Sequence, residues 1–133
     1  MSAGLLLDTH TWFWFLVRSE RLHRAAREAI EAMPGRVWLS PISVWELGLL
    51  AERGRVEIEG DFRSWVERAN RHFPINEAPL TGEIALQTLE ADLPHRDPAD
   101  HILAATTMAY GLTLVTADQR LLAAEWLPTL AAA

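Results

Sequence analysis

Leu112-Thr113-Leu114-Val115-Thr116-Ala117-Asp118 is an apolar run that halts at an acid, and Leu5-Leu6-Leu7-Asp8 repeats the pattern near the start of the chain. Continuous rather than alternating apolarity is the mark of a strand covered on both faces, the usual condition of a parallel sheet. Each run therefore carries a carboxylate to a strand's far end. Val37-Trp38-Leu39, closed by Ser40-Pro41, predicts a third strand, and residues 73–78 a fourth.

Between these runs the apolar spacing turns helical. Leu22, Ala26, Ala29, Ile30 and Met33 share one helical face that stops at Pro34-Gly35. Ser40 and Pro41 form an N-cap and first-turn pair for a helix to about residue 52. Residues 62–72 and 81–90 follow, the latter with Ile84, Leu86 and Leu89 as apolar anchors, and a last long helix opens at Asp97-Pro98 and closes at Tyr110-Gly111. The alternation predicts an α/β fold, a three-layer sandwich in which helices flank a mostly parallel central sheet. Ligands of such sheets sit at the carboxyl ends of the strands, where the strand order reverses. The closing Ala131-Ala132-Ala133 reads as a frayed end.

The chain's 133 residues, half of them apolar, suffice for one core, so residues 1–133 are read as one domain. With no cysteine there is neither a disulfide scaffold nor a thiolate zinc site, and the cytoplasm is the default location. No apolar run approaches the roughly 20 residues of a membrane span, and no signal peptide is visible. Eighteen acids against twelve bases give a net charge of −6, the opposite of a nonspecific nucleic-acid binder. All twelve bases are arginine, the side chain suited to bidentate phosphate contact. Arg21, Arg24 and Arg27 recur at intervals of three, either a solvated helix face or a strip for RNA.

Four acids stand out. Asp8 and Asp118 each precede a helical pattern, so N-capping explains either alone. Glu46 has Ile42, Leu49 and Leu50 as its helical neighbours, which puts a carboxylate on a face that packs inward; such a charge needs an arginine or a metal ion. In His95-Arg96-Asp97-Pro98-Ala99-Asp100-His101, Asp97 is the natural N-cap. Asp100 could serve the helix dipole at N3, but Leu103, Ala104 and Thr107 follow it on an inward face. Carboxylates that converge raise one another's pKa unless a cation neutralises them, and an all-oxygen set selects Mg2+ or Mn2+. That chemistry serves phosphoryl transfer. The five histidines show no ligand spacing, although His10 and His101 stand beside acids.

Three segments, LLLDTHTWFWFL (5–16), SPISVWELGLL (40–50) and HRDPADHILAATTMAYGLTLVTAD (95–118), together resemble the PIN-domain family, and within it the VapC-type toxins of prokaryotic toxin–antitoxin pairs. The resemblance implies a Rossmann-like PIN fold and a divalent-metal-dependent endoribonuclease, with Asp8, Glu46, Asp100 and Asp118 as the acidic quartet and Thr116 as a hydroxyl supporting the last acid. It also implies an RNA substrate, a VapB-type antitoxin and a homodimer. The aromatic run Trp12 to Val17 is too continuous for one face of a surface helix and is expected to meet a partner in part. Two other functions fit the acids alone. An aspartyl phosphatase would use Asp8 as nucleophile but lacks a lysine partner, and a noncatalytic interaction module would leave Glu46 without a role.

Overall fold

The computed structural model describes residues 3–133. Its sheet is built from β1 (Leu5–Leu7), β2 (Val37–Leu39), β3 (Asn76–Glu77), β4 (Thr113–Thr116) and β5 (Thr129–Ala131). The strand order is β3-β2-β1-β4-β5, and every neighbouring pair is parallel. The order reverses between β1 and β4, whose register pairs Leu7 with Val115. That junction is where a doubly wound sheet opens a crevice beyond its strand ends. Asp8 follows β1 directly, and Asp118 lies two residues beyond β4.

Side chains of successive strand residues point to opposite faces, so the apolar runs feed two cores. Leu5, Leu7, Val37, Leu39 and Val115 pack on one face with Trp12, Phe15, Ala26, Ile30 and Leu47. Those partners come from α1 (Thr9–Leu16), α2 (Arg24–Glu31) and α3 (Pro41–Glu52). Leu6 and Leu114 pack on the other face with Leu103, Ala104 and Leu121 from α6 (Pro98–Ala109) and α7 (Gln119–Leu122). This is the expected three-layer sandwich, with the sheet fully parallel. Leu6 is completely buried, a position where truncation to alanine costs about 2–5 kcal/mol.

Local chemistry sets the helix boundaries. The Ser40 hydroxyl accepts the Ile42 amide at 3.2 Å, and Pro41 occupies the first turn of α3. The Asp97 carboxylate accepts the Ala99 amide at 3.0 Å to open α6, and Gly111 ends that helix with φ +64°. Gly4 is needed for a different reason: a Cβ there would stand 2.3 Å from the Arg36 carbonyl oxygen.

Three expectations are corrected. Ala131 belongs to β5, and the Ala132 amide donates to the Thr116 carbonyl at 2.8 Å, so this end is tied into the sheet rather than frayed. In α5 (Gly82–Glu90) only Ile84 is buried; Leu86 and Leu89 are 57% and 84% exposed, because α5 packs on α6 rather than on the sheet. Part of the aromatic run turns inward, where α4 (Phe62–His72) supplies a second wall and Trp65 meets Trp12 at 5.7 Å and Phe13 at 6.1 Å between ring centroids, while Trp14 and Leu16 stay half-buried and Val17 is exposed. Arg21, Arg24 and Arg27 form no strip. Arg24 pairs with Glu28 on the surface, Arg27 lies over the Phe15 ring, and Arg21 precedes α2 in a turn.

Candidate active site

At the crevice between β1 and β4, a cavity of about 440 Å³ is lined by Asp8, Glu46, Asp97, Asp100 and Asp118. His10, Trp14, Arg21, Ala117 and Arg120 complete its wall. The acids arrive on separate elements: Asp8 from the end of β1, Glu46 from the middle of α3, Asp97 and Asp100 from the start of α6, and Asp118 from the turn after β4.

Each acid is held by a different partner. Asp8 stands at the N-cap of α1 yet makes no side-chain cap; its carboxylate instead accepts the Thr116 hydroxyl at 2.5 Å. Glu46 accepts the Thr9 hydroxyl. The charges acting on it come from Asp8, Asp97 and His10, and among the described residues no arginine salt bridge accounts for its half-buried position. Asp100 is buried and lies 2.7 Å from His95 Nε2. Asp118 does cap α7, accepting the Arg120 amide at 2.8 Å, and its other oxygen takes the Arg120 guanidinium at 2.8 Å. The same guanidinium reaches Asp100 at 3.7 Å.

These surroundings push the acids apart. Burial raises Asp8 above the usual carboxylate range, against the opposing Thr116 hydrogen bond. Burial likewise raises Glu46, with help from the charges of Asp8 and Asp97. Asp100 is pushed up to about 6, first by burial and then by repulsion from Asp97, Asp118 and Asp8. Asp118 runs the other way, since hydrogen bonding to Arg120 lowers it. The expectation that the carboxylates raise one another thus holds for Glu46 and Asp100, where repulsion adds to burial; Asp8 is raised by burial alone and Asp118 is lowered.

The donor chemistry fits a hard divalent cation. All the acids present oxygen, and three of them are buried or crowded enough to resist ionisation without a positive neighbour. Among the described residues no three His, Cys, Asp or Glu side chains are grouped closely enough to hold a metal ion as they stand.

Sequence reasoning missed two members. His95 lies on the loop before α6 and touches Asp100, whereas His101 turns away to the His95 carbonyl at 2.5 Å. A hydrogen-bond partner on a loop has no periodic signature, and a search for ligand spacing passes over it. Arg120 is the second, because an Asp-x-Arg step reads like any exposed pair. Thr116 was expected to support the last acid. Its hydroxyl does accept the Asp118 amide at 3.1 Å, but its proton goes to Asp8.

The structure is thus an α/β domain with an acidic crevice at the reversal point of a parallel sheet, and residues 5–127 match the PIN domain family model. The chain belongs to the PIN-domain family. It is 34% identical over 119 residues to Ribonuclease VapC22 of Mycobacterium tuberculosis (strain ATCC 25618 / H37Rv), covering 88% of each chain. Solved structures of similar fold include DNA-bound VapBC from Salmonella typhimurium, with TM-score 0.72, 18% identity and 98% of each chain covered. Another is VapBC2 from Rickettsia felis bound to a promoter DNA fragment, with TM-score 0.71, 13% identity, and coverage of 96% of this chain and 97% of that one.

Proposed function

We propose that residues 1–133 form one PIN domain acting as a divalent-metal-dependent endoribonuclease, the toxin of a toxin–antitoxin pair. The cation, Mg2+ or Mn2+, is held by Asp8, Glu46, Asp100 and Asp118. The observation that carries this reading is the delivery of four carboxylates from four separate elements into one cavity at the sheet's reversal point. When bound, the cation supplies Lewis acidity toward the scissile phosphate and lowers the pKa of water. The chain's own groups do the positioning. Thr116 fixes the Asp8 carboxylate, Thr9 fixes Glu46, and His95 fixes Asp100.

Its similarity to a VapC ribonuclease and to the toxin chains of VapBC complexes supports RNA as substrate and a VapB-type antitoxin as partner. A homodimer and a cytoplasmic location complete the proposal; no helix among the described residues is long and apolar enough to cross a membrane. The test is cleavage of labelled RNA with Mg2+ and with chelator, using wild type and Asp8→Asn. Metal-dependent cleavage lost in the variant supports the reading. Cleavage that survives both chelator and substitution overturns it.

A further inference from the structure

Helix α1 sends more than a backbone anchor to the acidic cavity. His10 and Trp14 lie four apart, hence on one side of the helix, and their ring centroids are 5.7 Å apart. After α1 the chain reverses through Arg18 at φ +56°, and the Ser19 amide donates to the Trp14 carbonyl at 2.9 Å. The Ser19 hydroxyl then accepts the Arg21 amide at 3.1 Å. This turn folds Arg21 back until its guanidinium carbon lies 5.8 Å from the Trp14 ring centroid. Trp14 is only half-buried, and it lines the same cavity as the acids together with Arg21.

The core accounts for only part of this arrangement. Trp12 and Phe15 are the buried members of the run, while Trp14 packs partly against the same core and keeps a partly exposed ring with Arg21 over it. We propose that Trp14 and Arg21 form a stacking platform for one unpaired nucleobase next to the scissile phosphate, the exposed Arg21 side chain swinging off the indole as the base takes its place and contacting the adjoining phosphate. The proposal rests on the ribonuclease reading and deepens it.

Charge makes such a platform useful. At a net −6 the protein exerts little long-range pull on RNA, so the binding that phosphate contacts do not supply must come from contacts independent of charge. An aromatic face stacks on any base, and single-stranded RNA is commonly held in this way. The Arg120 guanidinium is held by Asp118, so among the cavity's lining Arg21 is the guanidinium left for RNA, and about one phosphate is neutralised. The log of the binding constant should then fall with log salt at a slope of only about −0.7.

The experiment measures equilibrium binding of a fluorescein-labelled, mixed-sequence, unpaired oligoribonucleotide in Ca2+, alongside a fully abasic oligomer of the same length. For wild type, the abasic oligomer should bind at least tenfold more weakly. Trp14→Leu should lose at least tenfold on the intact oligonucleotide but nothing on the abasic one, and Trp14→Phe should restore affinity to within about threefold. Arg21→Gln, at an exposed position, should weaken intact and abasic RNA alike and flatten the salt slope. Equal binding of the intact and abasic oligomers by wild type overturns the platform, and that result needs no variant to fold. Unchanged binding by a folded Trp14→Leu, with wild type still cleaving RNA, overturns the platform and leaves the ribonuclease reading intact. A wild type that neither binds nor cleaves RNA overturns both.

Discussion

The Thr116 hydroxyl donates to the Asp8 carboxylate at 2.5 Å, joining residues 108 apart in sequence. Its oxygen also accepts the Asp118 amide, so one side chain sets the spacing of two candidate metal ligands. Thr116→Val keeps the shape of this buried residue and removes the donor. Cation affinity, read by calorimetry, should fall 10- to 100-fold, as is typical when a group orienting a ligand is removed. Thr116→Ser should retain most of it. Equal losses in both variants would point to packing rather than the hydroxyl.

Asp97 and Asp100 should separate cleanly. Asp97 opens α6 through the Ala99 amide, a task asparagine also performs, so Asp97→Asn should fold normally and keep most of its activity. Asp100→Asn should fold yet lose at least tenfold in activity, about 1.4 kcal/mol of transition-state stabilisation. Cleavage assays beside melting curves check this, and the opposite pattern would exchange the two roles.

Stability in chelator should carry the signature of Asp100. Its pKa of about 6 in the folded protein exceeds the 3.8 of the unfolded chain, so between those values the folded state binds more protons. Stability contributed by this group therefore falls as pH rises from about 4 to about 6. Asp8 and Glu46 act with the same sign. Asp118, whose pKa is lowered by Arg120, acts oppositely, losing stability as pH falls below about 4. Denaturation midpoints across this range should show the decline, and Asp100→Asn should make it shallower. An unchanged slope in the variant would mean that Asp100 is not the group responsible.

A cation that binds the folded site should stabilise the protein by about 2.7 kcal/mol at 100 times its dissociation constant. Asp100→Asn should melt at or above wild type in chelator, since it removes a crowded charge, and gain much less from Mg2+. Asp118→Asn should melt at or below wild type in chelator, because it unpairs Arg120. Equal Mg2+ shifts in all three proteins would identify nonspecific screening.

How far the sequence discloses this architecture depends on how each element is stabilised. β1 and β4 are covered on both faces, so continuous apolarity announces them, and their terminal acids mark the crevice. Glu46 is legible because a charge amid Ile42, Leu49 and Leu50 contradicts its own helix. β5 is not, since Thr129-Leu130-Ala131 is a half-exposed edge whose order comes from pairing with β4 rather than from its own hydrophobicity. Leu86 and Leu89 mislead for the converse reason: apolar side chains identify a helix without saying which of them a neighbour covers. The partners of the acids, His95 and Arg120, are fixed by tertiary contact alone.

The pairing of β1 with β4 also governs when a chain under synthesis becomes competent. Asp8 emerges early, but its strand waits for residues 113–116 to lie beside it, and Asp118 and the closing β5 follow later still. A nascent polypeptide that stops short of residue 113 leaves β1 without its neighbour on that side, and one that stops short of residue 118 carries only part of the acidic cluster.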